Sequence, residues 1–148
     1  NNIGVVGQNT FLLDDTIANN IKFFSEEENI QLKECLEIVD FYDHVKNLES
    51  GFETITGERG TKFSGGQRQR VAIARSIFRN PEVFIFDEAT SAIDEKSEKI
   101  IFNNLFERFS KKTFIVVAHK FSMLKNFDRI IIVDQGQIIK EGNYNEIF

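Results

Sequence analysis

The chain has 148 residues, 41% of them hydrophobic and 28% charged, which is enough for one globular core and too few for two. A net charge of −5 and a pI near 5.1 argue against a nucleic-acid partner, whose binding needs a basic face. One cysteine, Cys35, excludes an internal disulfide and fits a reducing compartment, and no apolar run approaches the roughly 20 residues that span a bilayer.

In chain order, Ile3 to Val6 is an apolar strand candidate that opens without the charged flank of a signal peptide. With no methionine ahead of it, the chain reads as starting inside a longer protein. From Asp15 to about Asp43 the pattern turns helical. Asp15 is the expected N-cap of a short helix reaching Phe23 or Phe24, and Ser25 with Glu28 fits a capping box for a second. Leu32, Cys35, Leu36 and Val39 would be the buried face of that second helix. Phe41 to Leu48 is a weaker third piece, and Gly51 to Gly66 reads as loop. Ser64 is expected to cap a helix from Gly65 to about Phe78, burying Val71, Ala74, Ile77 and Phe78 and ended by Asn80-Pro81. Val83 to Phe86, Phe114 to Ala118 and Arg129 to Val133 read as buried strands, with an amphipathic helix from Glu95 to Phe109 between the first two. Asp134-Gln135-Gly136-Gln137 turns the last of them into a hairpin with Ile138-Ile139. Helices alternating with apolar strands imply an α/β fold with a mainly parallel sheet.

Three places carry chemistry. Val83-Phe84-Ile85-Phe86-Asp87-Glu88 ends a buried strand in two acids, at the sheet edge where open α/β folds bind ligands. Adjacent strand residues point to opposite sides, so one carboxylate can serve a metal while the other addresses a water. Ser64-Gly65-Gly66-Gln67 bares a helix N-terminus, whose N–H groups and dipole favour an anion. Two glycines there weaken the helix by about 1 kcal/mol each against alanine, so their presence calls for a close neighbour, and a phosphate would be one. His119 follows Val116-Val117-Ala118 at another strand end, and Gln8 lies in the loop after the first strand. Taken singly, each has a plainer reading: strand ends in solvent, a glycine-rich helix entry, an ordinary histidine.

Taken together and in order, these residues resemble the ABC ATPase family over essentially the whole chain. Phe63-Ser64-Gly65-Gly66-Gln67 is similar to its signature sequence, with Phe in place of the usual Leu. Val83 to Glu88 resembles the Walker B strand with the catalytic glutamate, Ser91-Ala92-Ile93-Asp94 the D-loop, His119 the switch histidine and Gln8 the Q-loop glutamine. The resemblance implies a P-loop NTPase core with a parallel sheet and an inserted α-helical subdomain. Residues 9–80 would hold the Q-loop, helical subdomain, signature loop and its helix, and 1–8 and 81–148 would belong to the core. It implies ATP and Mg2+ as ligands. Asp87 and Gln8 would support the metal, and Glu88, His119 and Gln8 would be catalytic. Ser64, Gly65, Gly66, Gln67 and Asp94 would serve a nucleotide held by a second nucleotide-binding domain in a head-to-tail dimer.

Asp15-Thr16-Ile17-Ala18-Asn19-Asn20-Ile21 resembles an exporter segment, and Glu53 to Gly60 the exporter X-loop, with Thr56 where Val is common. That branch implies a transmembrane-domain partner, contact with its coupling helices, and a place at the cytoplasmic face of the cell membrane. No G-x-x-x-x-G-K-[S/T] run is present; Gly60-Thr61-Lys62 lacks its spacing. The chain therefore reads as a fragment missing the N-terminal β-subdomain and P-loop. Alone it is expected to bind ATP weakly, to turn it over negligibly, and to be marginally stable or to pair through an exposed sheet. Two other functions compete. A noncatalytic docking module is disfavoured by the presence of both Glu88 and His119, and a soluble ABC ATPase acting on nucleic acid or ribosomes is disfavoured by acidity and the X-loop.

Overall fold

In the computed structural model, residues 2–25, 30–118 and 121–148 are described, and the chain divides into two compact units, Asn1–Val117 and Ala118–Phe148. In the first unit three short apolar runs, β1 (Ile3–Val6), β2 (Val83–Asp87) and β3 (Thr113–Val117), form a parallel sheet in that order with β2 central. Val5 pairs with Ile85 and Ile85 with Ile115, so side chains alternate faces in step across all three strands. Val6, Phe84 and Phe86 are buried on one face. On the other, Ile3, Val5, Ile115 and Val117 are at least half exposed. The expectation of strands buried on both faces is thus corrected. A continuous apolar run shows that both faces are apolar, and does not show that both are covered.

Two long helices cover the buried face. α4 (Gly65–Phe78) approaches β1, where a methyl on Gly4 would lie 2.9 Å from Pro81 Cγ and 3.4 Å from the Ser76 carbonyl. α5 (Glu95–Arg108) brings Phe102 to 6.2 Å from Phe86 between ring centroids. Phe84 stacks on Phe114 at 4.8 Å and meets Phe109 at 5.1 Å. Such aromatic pairs add about 0.5–1.5 kcal/mol each beyond area burial, and here they join β2 to β3 and the sheet to α5 and the residue that ends it.

Between β1 and α4 lie three short helices, α1 (Ile17–Lys22), α2 (Leu32–Ile38) and α3 (Tyr42–Lys46), of which α1 and α2 pack on α4. Thr16, and not Asp15, caps α1: its hydroxyl accepts from Asn19 N at 3.0 Å. Asp15 sits one residue earlier and accepts from Thr16 N and Asn19 Nδ2. Two adjacent cap-forming residues compete, and the one in extended geometry directly before the helix wins. α2 starts at Leu32 behind Gln31, which makes no side-chain cap, so Ser25 does not begin it; Glu28 lies outside the described residues. Of its expected face, Cys35, Leu36 and Val39 are buried, while Leu32 at the helix start is only half-buried. The loop from Gly51 to Gly66 contains two 3-10 turns, Gly51–Glu53 and Glu58–Gly60.

In the second unit, β4 (Ile130–Asp134) pairs antiparallel with β5 (Gln137–Gly142). The hairpin is as expected, with Gln135 at φ 47° and Gly136 at φ 77°, the two positive values a tight type I′ turn requires. β4 is not a buried strand, since Ile131 and Val133 are 47% and 62% exposed. A short helix, α6 (Tyr144–Ile147), follows with Asn143 and Glu146 forming a capping box.

Candidate functional site

The carboxyl ends of β1 and β2 lie side by side because Val6 pairs with Phe86. The next residues diverge into loops, and Gln8 from one reaches Glu88 from the other: Gln8 Nε2 donates to Glu88 Oε2 at 2.8 Å, across 80 residues of sequence. Asp87 ends β2, paired with Val117 of β3 and exposed. Glu88 is half-buried and adopts φ 50°, while its N–H donates to the Val117 carbonyl at 3.1 Å. A non-glycine residue in the left-handed region costs about 1–2 kcal/mol, so the backbone leaves β2 through a strained step that aims the Glu88 side chain away from the strand line. Two of the expected pair roles are therefore geometrically available: an outward carboxylate at Asp87 and a second, turned one tied to Gln8.

At the start of α4, Ser64 is the N-cap as expected, and Gln67 completes a capping box: Gln67 N donates to Ser64 Oγ at 3.3 Å, and Ser64 N donates to Gln67 Oε1 at 2.8 Å. The N–H groups of Gly65 and Gly66 precede the first helical bond, Arg68 N to Ser64 O. The glycines also have a neighbour within the chain. A methyl on Gly66 would lie 2.7 Å from the Ala92 carbonyl oxygen, and one on Gly65 would lie 3.2 Å from Ala92 Cβ. Close approach of the 91–94 loop thus already demands glycine, so a phosphate is not needed to explain both of them. Gln67 Nε2 also meets His44 Nε2 at 3.1 Å, and the His44 ring stacks on Phe41 at 4.9 Å. His44, Ser64, Gln67, Arg70 and Asp94 line one shallow surface depression.

Asp94 is the N-cap of α5, accepting from Ser97 N at 3.0 Å. The Ser97 backbone and side-chain hydrogen bonds hold its carboxyl below the usual 3.8, with Arg70 adding a smaller electrostatic pull. His119 lies outside the described residues. Among the described residues no cluster of three or more His, Cys, Asp and Glu could hold a metal on its own.

The sequence profile of the ABC transporter family matches residues 1–91. The chain belongs to this family. It is 42% identical over 145 residues to the ATP-dependent lipid A-core flippase of Aliivibrio fischeri, covering 97% of this chain and 25% of that protein. It is 43% identical over 146 residues to the alpha-hemolysin translocation ATP-binding protein HlyB of Escherichia coli O157:H7, covering 98% and 21%. A solved bacterial Atm1-family ABC exporter with ATP bound superposes with a TM-score of 0.91 at 35% identity, over 99% of this chain and 26% of that one. The chain therefore spans a quarter or less of the length of these curated relatives.

Within the ABC fold, sequence reasoning missed three side chains that organise the site's supports. Gln69, 4% exposed on α4, donates from Nε2 to Ser91 Oγ at 3.0 Å and accepts from Ala92 N at 2.9 Å. Arg75 ties α4 to the segment after Gln8, bonding Asn20 O, Asn20 Oδ1 and Phe11 O. Thr56, fully buried, donates its hydroxyl to Leu13 O at 2.7 Å, which gives a use to the residue that departs from the common Val. No local signal marks them, since each partner lies more than twenty residues away in sequence.

The lowered carboxyl of Asp94 sets a pH test. A group whose folded pKa is depressed adds stability above its unfolded value and loses it as pH falls through the folded one. Asp94→Ala is therefore expected to lower stability at neutral pH, with the gap to wild type closing as pH falls below the ordinary aspartate range. Denaturant melts of both proteins across that range check this; a gap that persists undiminished in acid would show that the cap charge is not its source.

Proposed function

We propose that this chain is the ATP-binding cassette of an exporter-type ABC transporter, coupling ATP binding and hydrolysis to movement of a cargo across a membrane. The observation that carries it is the Gln8–Glu88 hydrogen bond at the carboxyl edge of the parallel sheet. It joins the two residues expected to orient the attacking water and sets them beside an outward Asp87. In this reading residues 1–8 and 81–148 belong to the catalytic core and 9–80 to the helical lobe.

Phosphoryl transfer asks little covalent chemistry of the protein and much positioning. Glu88 would orient and draw a proton from the water that attacks the terminal phosphorus, while the bond to ADP breaks. The Gln8 amide, donating from Nε2, would fix the Glu88 carboxylate for that task. Mg2+ suits the donors present: it takes hard oxygen ligands and usually one or two carboxylates with substrate phosphates, and Asp87 with the Gln8 amide oxygen supplies this kind of set. When bound it neutralises phosphate charge. His119 would contact the terminal phosphate.

Ser64, Gly65, Gly66 and Gln67 would present hydroxyl and N–H donors to the nucleotide of a second nucleotide-binding domain, closed head to tail, with Asp94 at the same interface. Gln8, the loop after it and Glu53 to Arg59 would meet the transmembrane domain at the cytoplasmic face. Support for this last point is the zipping of the two segments: Thr56 N donates to Asp15 O at 2.9 Å and Ile17 N to Thr54 O at 3.0 Å. The two segments would therefore move together.

The test is phosphate release by the intact protein in lipid vesicles. Turnover that requires ATP and Mg2+ and ceases with chelator is expected. Nucleotide binding without turnover would leave only the noncatalytic docking reading, and absence of both would sink the proposal.

A further inference from the structure

The N-terminal turn of α4 and the loop from Ser91 to Asp94 are in contact at backbone level, with Gly66 against the Ala92 carbonyl. Contact alone would let the two slide. Gln69 removes that freedom, because its single amide grips the loop twice: it donates to the Ser91 hydroxyl and accepts from the Ala92 N–H. The side chain is buried and one helical turn beyond Gly65 and Gly66, so its amide reaches the loop from the same face of α4. Its orientation is determined, since an acceptor must face Ala92 N–H and the amide nitrogen then faces Ser91 Oγ. Asp94, three residues past Ser91, is in turn fixed as the cap of α5. A continuous chain of contacts runs from Ser64 through Gln69 and the loop to α5.

We propose that Gln69 is a positioning residue that locks the 91–94 loop to the start of α4, so that Ser64, Gly66 and Asp94 are offered to a second nucleotide-binding domain as one rigid surface. The inference rests on the reading that two such domains close around ATP. Without the lock, the donors at α4 and the loop would have to be aligned during closure, and that ordering cost would be subtracted from the closure equilibrium. The nucleotide's first contacts, on the protomer that holds it before closure, would not feel the change.

The experiment uses the intact transporter carrying Glu88→Gln, in which the slowed hydrolysis expected for this change should let the closed state accumulate with ATP. Closure is read by cross-linking or spin-label distances as ATP is titrated, alongside nucleotide binding in the open state. Adding Gln69→Leu is expected to weaken ATP-driven closure about tenfold, the effect of losing the pair of hydrogen bonds. Open-state nucleotide affinity should be unchanged. Gln69→Glu should restore much of the closure, because one carboxylate oxygen accepts from Ala92 N–H and the other from the Ser91 hydroxyl. Ser91→Ala, changing a side chain at the surface, should reproduce part of the loss and add little once Gln69 is already Leu. If Gln69→Leu fails to fold, the Ser91→Ala result decides in its place. Equal closure in parent and variants would overturn the lock while leaving the dimer reading intact. No ATP-driven closure in the Glu88→Gln parent would overturn both.

Discussion

Replacing Glu88 with glutamine is expected to lower ATP turnover by the intact transporter by about 10²–10⁴-fold, the usual worth of a positioned general base. The change is isosteric, so geometry should survive: the new amide can turn its oxygen toward Gln8 Nε2 and keep the 2.8 Å bond. What disappears is the negative charge facing the water. Nucleotide binding should therefore persist, and phosphate release measured beside binding separates the two effects. Turnover within threefold of wild type would remove Glu88 from the mechanism. The backbone sharpens the test, because Glu88 sits at φ 50°. Glu88→Gly relieves that conformation at no steric cost while also deleting the carboxylate. It should match the glutamine variant in lost turnover without losing stability, as expected where strain serves a site.

The elements that were legible in the sequence are those set by local signals. The Ser64 cap and the extent of α4 follow from the serine before the helix and from Asn80-Pro81 after it, while Gln67 as capping partner is read from the structure. The β4–β5 turn follows from Gln135-Gly136. The parallel sense of the β1–β2–β3 sheet was legible too, since apolar strands alternating with helices imply it, while their order came only from the fold. Where two local signals competed, as at Asp15 and Thr16, composition did not choose between them. Strand burial was overestimated because the apolar faces of β1 and β3 show what a strand could bury, and exposure of Val5 and Val117 is a property of what lies over them. At the candidate site the residue types Gln8, Asp87, Glu88 and Ser64 were legible as a pattern. The Gln8–Glu88 contact and the Gln69 grip depend on where the chain returns after many residues, which only the fold supplies.

Arg75 shows how large such a nonlocal term becomes. Its guanidinium is mostly withdrawn from water, and that desolvation, with a smaller repulsion from Arg79, lowers its pKa to about 10, so it stays charged at neutral pH. The cost is offset by three bonds of 2.8 to 3.1 Å, to Asn20 O, Phe11 O and Asn20 Oδ1, and by the face of Phe23 at 4.4 Å. Asn20 is itself fully buried and also binds Leu13 N and Leu13 O, so one network holds α1, the loop after Gln8 and α4. Arg75→Met keeps the bulk and removes the donors, leaving two backbone carbonyls without this partner. A loss of about 1–3 kcal/mol is expected, the cost of leaving buried acceptors without their donor. Arg75→Lys should recover only part, because one ammonium cannot reproduce a planar fork aimed at three acceptors. Denaturant unfolding of the intact protein, followed by probes within this domain, measures both. A loss below about 1 kcal/mol for Arg75→Met, the level of an ordinary surface change, would show that the network holds no more than its exposed neighbours do.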